Sequence, residues 1–563
     1  MKRLARMLIV MLLANLWVLD AAAGDDFCSN PVSTAEGLVS GVSEKEQPVC
    51  SYKGIPYAAP PVGNLRWAAP QPPAAREGVF KAEKFPPECC QTAGPLFGVK
   101  ASKRSEDCLY LNIWRPKKSG RFPVMLWIHG GTFNNGSGVI PLYRGDRIAG
   151  EKDVVAVTIN YRLDFLGFLA YRQLSQEDPN GSSGNYGLMD QIAALKWVKQ
   201  NIAAFGGDPD NITIFGESAG GWSVCSLLAS PLASGLFSKA IIESGGCDAV
   251  TSMEKGYEIG DEFAKAAGCE GPEALACLRS QTFKELRSKF SHQEKKEKKL
   301  EKKAGSSKLV DIGEIMPKWI PRVDGWVLKQ KPIDALRAGR FNRTPLLVGV
   351  TRDEVKLFTL TIPGIRLVPK CILHQQLELN LGEEITEGIE RLYPYDQYRR
   401  PADAVIDALG DMGLGCRCFE AAEAASAYQP VYYYRFDYDQ HLLPHMAGAM
   451  HGIEIPFVLD NFKQPPAIFF FPGCFAKKAR PLKNEVMIYW TNFAKTGDPN
   501  EEQLTQWPKY DTRERNKMIL DQPLRQMTTD NVEKCQFWKE HDFLQEKTIR
   551  MQKRVEQITG QKK

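Results

Sequence analysis

The stretch Asn211-Ile-Thr-Ile-Phe-Gly-Glu-Ser-Ala-Gly-Gly221 decides the fold of this chain. Its first part, Ile212 to Phe215, is the kind of β-branched and aromatic run that is typical of a buried strand. The next five residues match Gly-x-Ser-x-Gly, and helix-compatible residues follow. A Cβ at either flanking glycine would collide with a neighbouring strand or helix. The pattern therefore predicts a sharp strand-to-helix turn that lifts the Ser218 hydroxyl clear of the backbone.

The regions on either side of this turn predict an α/β protein. Phe122 to Ile128 indicates a buried strand that runs into His129-Gly-Gly-Thr-Phe133, where backbone N–H groups can turn towards a ligand. Strands that alternate with helices favour a mainly parallel sheet covered on both faces. Further strands are predicted at Val154–Asn160, Ala240–Ile242, Leu346–Val350 and Val431–Phe436, a helix at Ile192–Phe205 closed by Gly206-Gly207, a hairpin at Val32–Val42 and extended turns at Tyr52–Trp67.

Length and composition are those of a globular protein with a large core. The chain has 563 residues, 43% hydrophobic and 25% charged, and it shows no internal repeat and no long linker. A basic start followed by the apolar run Met7 to Leu19 predicts a signal peptide over residues 1–23; an uncleaved anchor is the alternative. We therefore expect one exported domain over residues 24–545, periplasmic or extracellular, and a polar tail over residues 546–563.

The charge is modest overall but concentrated in one segment. The formal net charge is +5, and residues 284–308 hold ten basic and four acidic side chains. No basic field spans the chain, so nucleic-acid binding is not predicted. Within the charged insertion, Gln293 to Lys303 is helix-prone with Leu300 as its one apolar residue. A helix that is polar all round indicates a solvated protrusion, and contact with an anionic surface is the alternative.

The cysteines predict disulfides. Fourteen cysteines in an exported chain favour disulfide bonds. Cytosolic thiols or a metal site are the alternative, but no Cys-x-x-Cys pair has a matching partner, and Cys416-Arg-Cys418 is too tight for zinc. Cys28 and Cys50, isolated near the N-terminus, are expected to pair. We interpret Cys225 as a small buried apolar side chain.

A serine nucleophile needs a base, and the base needs an orienting acid. The chain has seven histidines. Spacing alone does not choose among the five that follow residue 350, namely His374, His441, His445, His451 and His541.

Five motifs in order carry a resemblance to a known family. They are Glu106-Asp-Cys-Leu-Tyr-Leu-Asn112, Asn160-Tyr-Arg162, Phe215-Gly-Glu-Ser-Ala-Gly-Gly-Trp-Ser223, Gly349-Val-Thr-Arg-Asp-Glu354 and His451-Gly-Ile-Glu-Ile-Pro-Phe457. Together they resemble the type-B carboxylesterase and cholinesterase family, from about Val32 to Phe537. The resemblance implies an α/β-hydrolase fold, with a large, mostly parallel central sheet and helices on both faces.

The resemblance also implies the roles of site residues. Ser218 would be the nucleophile, His451 the general base and acid, and Glu354 the orienting carboxylate, in preference to Asp353, which would be a turn or surface acid. Backbone N–H groups of Gly131, Thr132 and Ala219 would form the oxyanion hole. Glu217 and Ser244 would support the site, with simple packing as their alternative role, and His129 would be a structural neighbour of the glycines rather than a second base.

Three further disulfides are implied by the same resemblance: Cys89–Cys108, Cys269–Cys277 and Cys416–Cys535. Adjacent Cys90 and nearby Cys418 compete for the first and third of these bonds. The pairing of Cys371 and Cys474 is open.

The implied reaction is hydrolysis of a small-molecule carboxylic ester through an acyl-enzyme, with no metal or organic cofactor. Residues 90–107 contain no tryptophan, so the cation–π anchor for choline is missing from its expected place and cholinesterase activity is not expected. Thr132 stands where the family usually has Gly or Ala. A lipase, a feruloyl-type esterase and a non-catalytic adhesion homologue are the alternatives. No stable membrane insertion is expected, and the physiological ester and the oligomeric state are open.

Overall fold

The structure is a computed structural model that describes residues 27–92, 103–303, 317–360, 362, 364–528 and 531–541. The expected signal peptide (residues 1–23), the polar tail (residues 546–563) and the end of the charged insertion (residues 304–308) lie outside the described residues.

The strands form one large sheet and three small ones. In space the large sheet runs β18-β17-β16-β15-β12-β11-β9-β10-β8-β4-β3. The strands are β1 (Val32–Thr34), β2 (Gly37–Ser40), β3 (Val42–Ser43), β4 (Val49–Pro56), β5 (Val79–Lys81), β6 (Glu88–Cys89), β7 (Arg104–Ser105), β8 (Tyr110–Pro116), β9 (Phe122–Ile128), β10 (Val155–Ile159), β11 (Gly207–Glu217), β12 (Lys239–Glu243), β13 (Thr251–Ser252), β14 (Arg322–Val323), β15 (Leu346–Thr351), β16 (Val431–Phe436), β17 (Asn516–Leu520) and β18 (Arg525–Thr528).

The middle of the large sheet is parallel and its two margins are antiparallel. Every neighbouring pair from β17 to β10 is parallel. β18 at one edge and β8, β4 and β3 at the other pair antiparallel. The prediction of a mostly parallel sheet is confirmed for the centre, which is the part that carries the Gly-x-Ser-x-Gly turn.

Both faces of the central strands are buried, which explains their unbroken apolar runs. In β9, Val124, Leu126 and Ile128 face one hydrophobic cluster. The alternate residues Met125 and Trp127 face the other. Because side chains of a strand alternate between faces, a strand covered on both sides reads as continuously hydrophobic.

The helices cover the sheet. Within the described residues, no helix combines the length and the apolar character that crossing a bilayer requires. The helices are α1 (Asp146–Lys152), α2 (Asp164–Phe168), α3 (Arg172–Glu177), α4 (Tyr186–Asn201), α5 (Ala219–Ala229), α6 (Met253–Ala267), α7 (Ala274–Ser280), α8 (Phe283–Lys303), α9 (Pro332–Arg337), α10 (Lys356–Thr359), α11 (Lys370–Leu381), α12 (Glu383–Leu392), α13 (Pro401–Gly410), α14 (Cys416–Ser426), α15 (Pro444–Ala447), α16 (Ile455–Leu459), α17 (Ala467–Phe470), α18 (Cys474–Thr496) and α19 (Val532–Glu540).

Several local predictions are confirmed. The helix predicted from residue 192 is α4, which continues as a 3-10 turn to Phe205 and stops where Gly206 takes a left-handed conformation. The predicted hairpin is the antiparallel pair β1 and β2. The charged insertion begins as α8, a helix of 21 residues that starts at Phe283. Its first two turns, which precede the predicted polar segment, bury Leu286 and Phe290. The predicted segment Gln293 to Lys303 is helical, as expected.

The structure contains five disulfides. Four are the expected pairs Cys28–Cys50, Cys89–Cys108, Cys269–Cys277 and Cys416–Cys535. The fifth joins Cys225 to Cys247. Cys225 is buried as predicted, but the interpretation of it as a small apolar side chain is wrong, because it forms a disulfide. The reason is topological: α5 packs against β12, and the loop after β12 brings Cys247 beside the helix, with the two Cα atoms 5.3 Å apart.

Gly220→Ala is expected to destabilise the fold. A Cβ at this position would lie 2.0 Å from the carbonyl oxygen of Ile128, which is backbone of β9 and has no freedom to move aside. We expect the free energy of unfolding to fall by about 1–3 kcal/mol, as measured by chemical denaturation. Gly413→Ala is the matched control, because a Cβ there meets no atom within 4 Å. Equal stability of the two variants would contradict this packing argument.

Candidate active site

Ser218 lies on a strained turn between β11 and α5. Its backbone has φ 59° and ψ −123°, a region that residues other than glycine rarely adopt and that persists only where the surroundings enforce it. A Cβ at Gly216 would lie 2.5 Å from the oxygen of Ile128, and one at Gly220 would come closer still. The two glycines therefore allow β9 to approach the turn, and this approach holds Ser218 in place.

The other predicted site residues follow neighbouring parallel strands. Gly131 follows β9, Ser244 follows β12 and Glu354 follows β15. Since the carboxyl ends of parallel strands meet at one edge of a sheet, these residues gather around the Ser218 turn. The loop after β16 supplies His451.

His451 and Glu354 form a buried hydrogen-bonded pair. His451 Nδ1 lies 2.5 Å from Glu354 Oε2. The second carboxylate oxygen, Oε1, accepts the backbone N–H of Thr351 at 2.8 Å. His451 is 9% exposed and Glu354 is 3% exposed. A carboxylate that accepts the Nδ1 proton fixes the tautomer and leaves Nε2 as the basic atom.

Glu217 makes the second contact with the imidazole. Its Oε1 lies 3.0 Å from His451 Nε2. Among the described residues, no hydrogen bond joins the Ser218 hydroxyl to this nitrogen. Burial opposes the charged imidazolium, but the carboxylates of Glu217 and Glu354 outweigh it and raise the pKa of His451 well above its usual value. The side chain next to the serine therefore stabilises the protonated form of the histidine.

Asp353 is buried, so its interpretation as a surface acid is wrong. It is 5% exposed, and its Oδ2 accepts the N–H of Ala449 at 2.8 Å. Its own N–H donates to the carbonyl of Ala449, and Arg352 and Lys356 neutralise its charge. These cations hold the pKa of Asp353 below its usual value against the opposing effect of burial. Asp353 thus ties the loop that carries His451 to the strand end that carries Glu354.

The loop after β9 lies against the Ser218 turn, because a Cβ at Gly130 would come within 3.1 Å of the Ser218 Cβ. Gly131 has φ 108° and Thr132 has φ 53°, a left-handed conformation that is unusual for a β-branched residue. The carbonyl of Gly131 accepts the N–H groups of Asn134 and Asn135 and the hydroxyl of Thr132. Among the described residues, the N–H groups of Gly131 and Thr132 donate to no acceptor. Ala219 is the first residue of α5, so its N–H has no intrahelical acceptor either.

Two buried glutamates complete the surroundings, and sequence reasoning did not assign them a role. Glu243 Oε1 accepts the indole N–H of Trp490 at 2.8 Å, and burial raises the pKa of Glu243 to about 8. Glu454 is fully buried, and no described residue forms a hydrogen bond with either of its carboxylate oxygens. Burial, reinforced by the neighbouring glutamates, raises its pKa well above the usual value. For Glu454, the sequence did hold one signal of burial, since it is an acidic residue within the apolar run that follows His451.

Ser244 and His129 lie in the layer beneath the site. Ser244 has φ 49°, is fully buried, and donates its N–H to the carbonyl of Gly349 at 2.8 Å; its hydroxyl has no partner among the described residues. The His129 ring stacks on Tyr161 at 4.4 Å, and its Nδ1 lies 2.9 Å from the carbonyl oxygen of Gly130. Burial lowers the pKa of His129 to about 4. A neutral, stacked ring of this kind supports the glycine loop.

Within the described ranges, no group of three or more His, Cys, Asp or Glu side chains is placed to hold a metal ion.

The sheet, the strained turn and the residues gathered at one sheet edge define an α/β-hydrolase. The chain belongs to the carboxylesterase family, whose family model matches residues 29–538. It is 37% identical over 494 residues to the para-nitrobenzyl esterase of Bacillus subtilis, covering 87% of this chain and 94% of that protein. It is 35% identical over 522 residues to liver carboxylesterase 1 of Oryctolagus cuniculus, covering 86% and 88% of the two chains.

Solved structures agree with this assignment. The crystal structure of a carboxylesterase from Geobacillus stearothermophilus superimposes with a TM-score of 0.76 at 36% identity, covering 90% of this chain and 99% of that one. The protein is a carboxylic ester hydrolase.

Glu217→Gln is expected to move the acidic limb of the pH profile. Because the Glu217 carboxylate raises the pKa of His451, removing its charge lowers that pKa, and the neutral imidazole persists to lower pH. The lower limb of kcat/KM for an ester should shift down by about 1–3 pH units, while the plateau rate falls because the imidazolium formed during the reaction loses a stabilising charge. Glu378→Gln, on the surface of α11, is the control. An acidic limb that stays at the same pH, or moves to higher pH, would contradict the inferred effect of Glu217 on the pKa of His451.

Proposed function

We propose that this protein hydrolyses carboxylic esters through an acyl-enzyme on Ser218. The observation that carries the proposal is the placement of the His451–Glu354 hydrogen bond at the same sheet edge as the strained Ser218 turn. A serine hydroxyl becomes nucleophilic at neutral pH only with such an oriented base.

The steps follow from the contacts. Neutral His451 takes the proton of Ser218 through Nε2 as the serine oxygen attacks the ester carbonyl. The mechanism requires the Ser218 hydroxyl to donate to Nε2, a contact of the kind that commonly tightens only when substrate is bound. The new imidazolium is stabilised by Glu354 and Glu217. It then protonates the leaving alcohol, and a water molecule repeats the sequence on the acyl group.

The oxyanion is assigned to three backbone donors, the N–H groups of Gly131, Thr132 and Ala219. No described residue accepts these N–H groups, which supports the assignment, since preformed donors stabilise developing charge without reorganisation. The positive φ of Thr132 keeps the turn that a glycine would otherwise make. The Thr132 hydroxyl donates to the carbonyl of Gly131 at 2.8 Å. With the hydroxyl engaged in this way, the methyl group of Thr132 is the part of the side chain that differs from a glycine at this position.

The substrate class proposed is an uncharged carboxylic ester of a small alcohol, as for a broad carboxylesterase. The loop closed by Cys89 and Cys108 has no tryptophan to bind a quaternary ammonium group. The Phe358 ring lies 5.5 Å from the His451 ring and supplies an apolar wall beside the reacting atoms.

The place of action is proposed to be outside the cytoplasm. Five disulfides support an oxidising compartment. The basic and apolar pattern of residues 1–23 supports export by a cleaved signal peptide, after which residues 24–545 form one catalytic domain.

Ser218→Ala is expected to abolish hydrolysis, with kcat reduced by on the order of a million-fold. A fluorophosphonate probe should label the unaltered chain once and leave the variant unlabelled, as read by intact-protein mass spectrometry. Ser226→Ala, on the same helix, is the matched control and should be labelled normally. Labelling that survives in the Ser218 variant would contradict the assignment, and an unaltered chain that resists labelling would indicate a non-catalytic homologue.

Choline esters are expected to be poor substrates. The two substrates to compare are butyrylcholine and 3,3-dimethylbutyl butyrate. In the second ester a carbon atom replaces the quaternary nitrogen, so the shape is the same and the charge is absent. Without an aromatic anchor, the neutral ester should have the higher kcat/KM, by about ten-fold. A preference for the charged ester would contradict the reading of the Cys89–Cys108 loop.

A further inference from the structure

Exposed apolar side chains are concentrated on one part of the surface. Six of the fifteen large apolar side chains that are exposed among the described residues fall at residue 367, in residues 442–446 and in residues 468–469. Phe469 is 66% exposed and Leu367 is 76% exposed. Apolar surface that is grouped rather than scattered marks a contact surface. We name as the apolar rim the residues Leu367, Leu442, Leu443, Met446, Ile468 and Phe469.

Direct contacts join the segments of the apolar rim. The N–H of Leu442 donates to the carbonyl of Phe470 at 2.9 Å, which joins the loop before α15 to α17. The guanidinium of Arg366 donates to the carbonyls of His445 and Met446, which joins the residue before Leu367 to α15. The apolar rim is therefore one connected surface.

The apolar rim reaches the active site. Helix α10 packs against α15. Phe358, in α10, is 39% exposed and at the same time lies against the His451 ring. An apolar path thus runs from the catalytic histidine to the exposed surface.

The chain segments that carry this surface are basic and hold no acidic residue. Residues 355–376, 440–453 and 461–484 contain no Asp or Glu. Lys463 lies before α17, and Lys477, Lys478 and Arg480 lie in the first two turns of α18. All four side chains are exposed and form no ion pair with a described residue. We name them the flanking cations.

We propose that the apolar rim and the flanking cations form a docking surface for an anionic phospholipid bilayer. Apolar side chains enter the boundary between headgroups and acyl chains, and Lys and Arg meet the anionic headgroups. A second copy of this chain fits less well, because a two-fold interface would place the flanking cations of one protomer against those of the other.

Docking would turn the opening of the active site towards the lipid. An ester dissolved in the bilayer would then enter along Phe358 without crossing water. This consequence rests on the proposed function, whereas binding to lipid does not, and the two are measured separately.

The test is co-sedimentation of the full chain with vesicles. One set is phosphatidylcholine alone and the other is phosphatidylcholine mixed with phosphatidylglycerol. We expect binding to the anionic vesicles, weaker binding to the neutral ones, and loss of the difference at high salt, which screens exposed charges. Ser218→Ala should bind the vesicles as the unaltered chain does, although it hydrolyses nothing.

Two double variants separate the apolar and charged parts. Ile468→Ser with Phe469→Ser should weaken binding about ten-fold or more, and Lys477→Glu with Lys478→Glu should do the same because each headgroup contact contributes about five-fold. Val79→Ser, an exposed apolar residue of β5, is the matched control. All of these chains share the apolar run at residues 7–19, so any difference between them comes from the surface. Hydrolysis of a short soluble ester should not change.

Three outcomes would overturn the proposal. The first is equal binding of the unaltered chain to neutral and anionic vesicles, or no binding to either. The second is binding by both double variants that matches the Val79→Ser control. The third is a dimer of the unaltered chain, seen by sedimentation velocity, that dissociates in the Ile468→Ser, Phe469→Ser variant while lipid binding is unchanged. The surface would then serve self-association.

Discussion

The close approach of three parallel strands around one residue controls the rest of the active site. Ser218 keeps an unfavourable backbone conformation because β9 and β12 press on the turn from either side. A Cβ at Gly220 would meet the oxygen of Ile128, and one at Gly245 would lie 2.6 Å from the oxygen of Ser218. The same pressure places Ala219 at the start of a helix, so one constraint sets both the serine and the proposed oxyanion donor Ala219. The strain is local, and the large buried sheet supports it.

Charge is the second feature that determines the properties of the active site, because several carboxylates lie around one imidazole in a buried space. Glu217 and Glu354 hold the charged form of His451, while burial raises the pKa of Glu243 and Glu454 and favours their neutral forms. The arrangement therefore favours the imidazolium that the proposed reaction creates, and it does so with groups already in place. Its consequence is a histidine that becomes an effective base only as pH rises.

Sequence reasoning predicted the parts of the molecule that depend on local pattern. The run Ile212 to Phe215 and the two glycines after it specify strand and turn by themselves, and the central strands are unbroken apolar runs because both of their faces are buried. The antiparallel margin of β3, β4 and β8 was not predicted, since strand direction depends on long-range pairing. Cys225 was misread for the same reason, because its partner Cys247 is adjacent only after α5 packs on β12.

Site chemistry was predictable only where the sequence resembles a family. Spacing left five histidines open, and the motif around His451 selected one. The buried roles of Asp353 and Glu454 were not visible, because a carboxylate in a sequence does not reveal whether it faces water or a neighbouring loop. Asp353 is a positioning residue through its contact with Ala449, a relation that appears only when the two loops are seen together.

The central claim is that Ser218 and three backbone N–H groups form one reaction site. A crystal structure of the chain inactivated by a fluorophosphonate tests it most directly. The account predicts phosphorus bonded to Ser218 Oγ and the phosphonyl oxygen about 2.7–3.1 Å from the nitrogens of Gly131, Thr132 and Ala219. Phosphorus on another residue, or a phosphonyl oxygen that points to solvent away from those nitrogens, would contradict it.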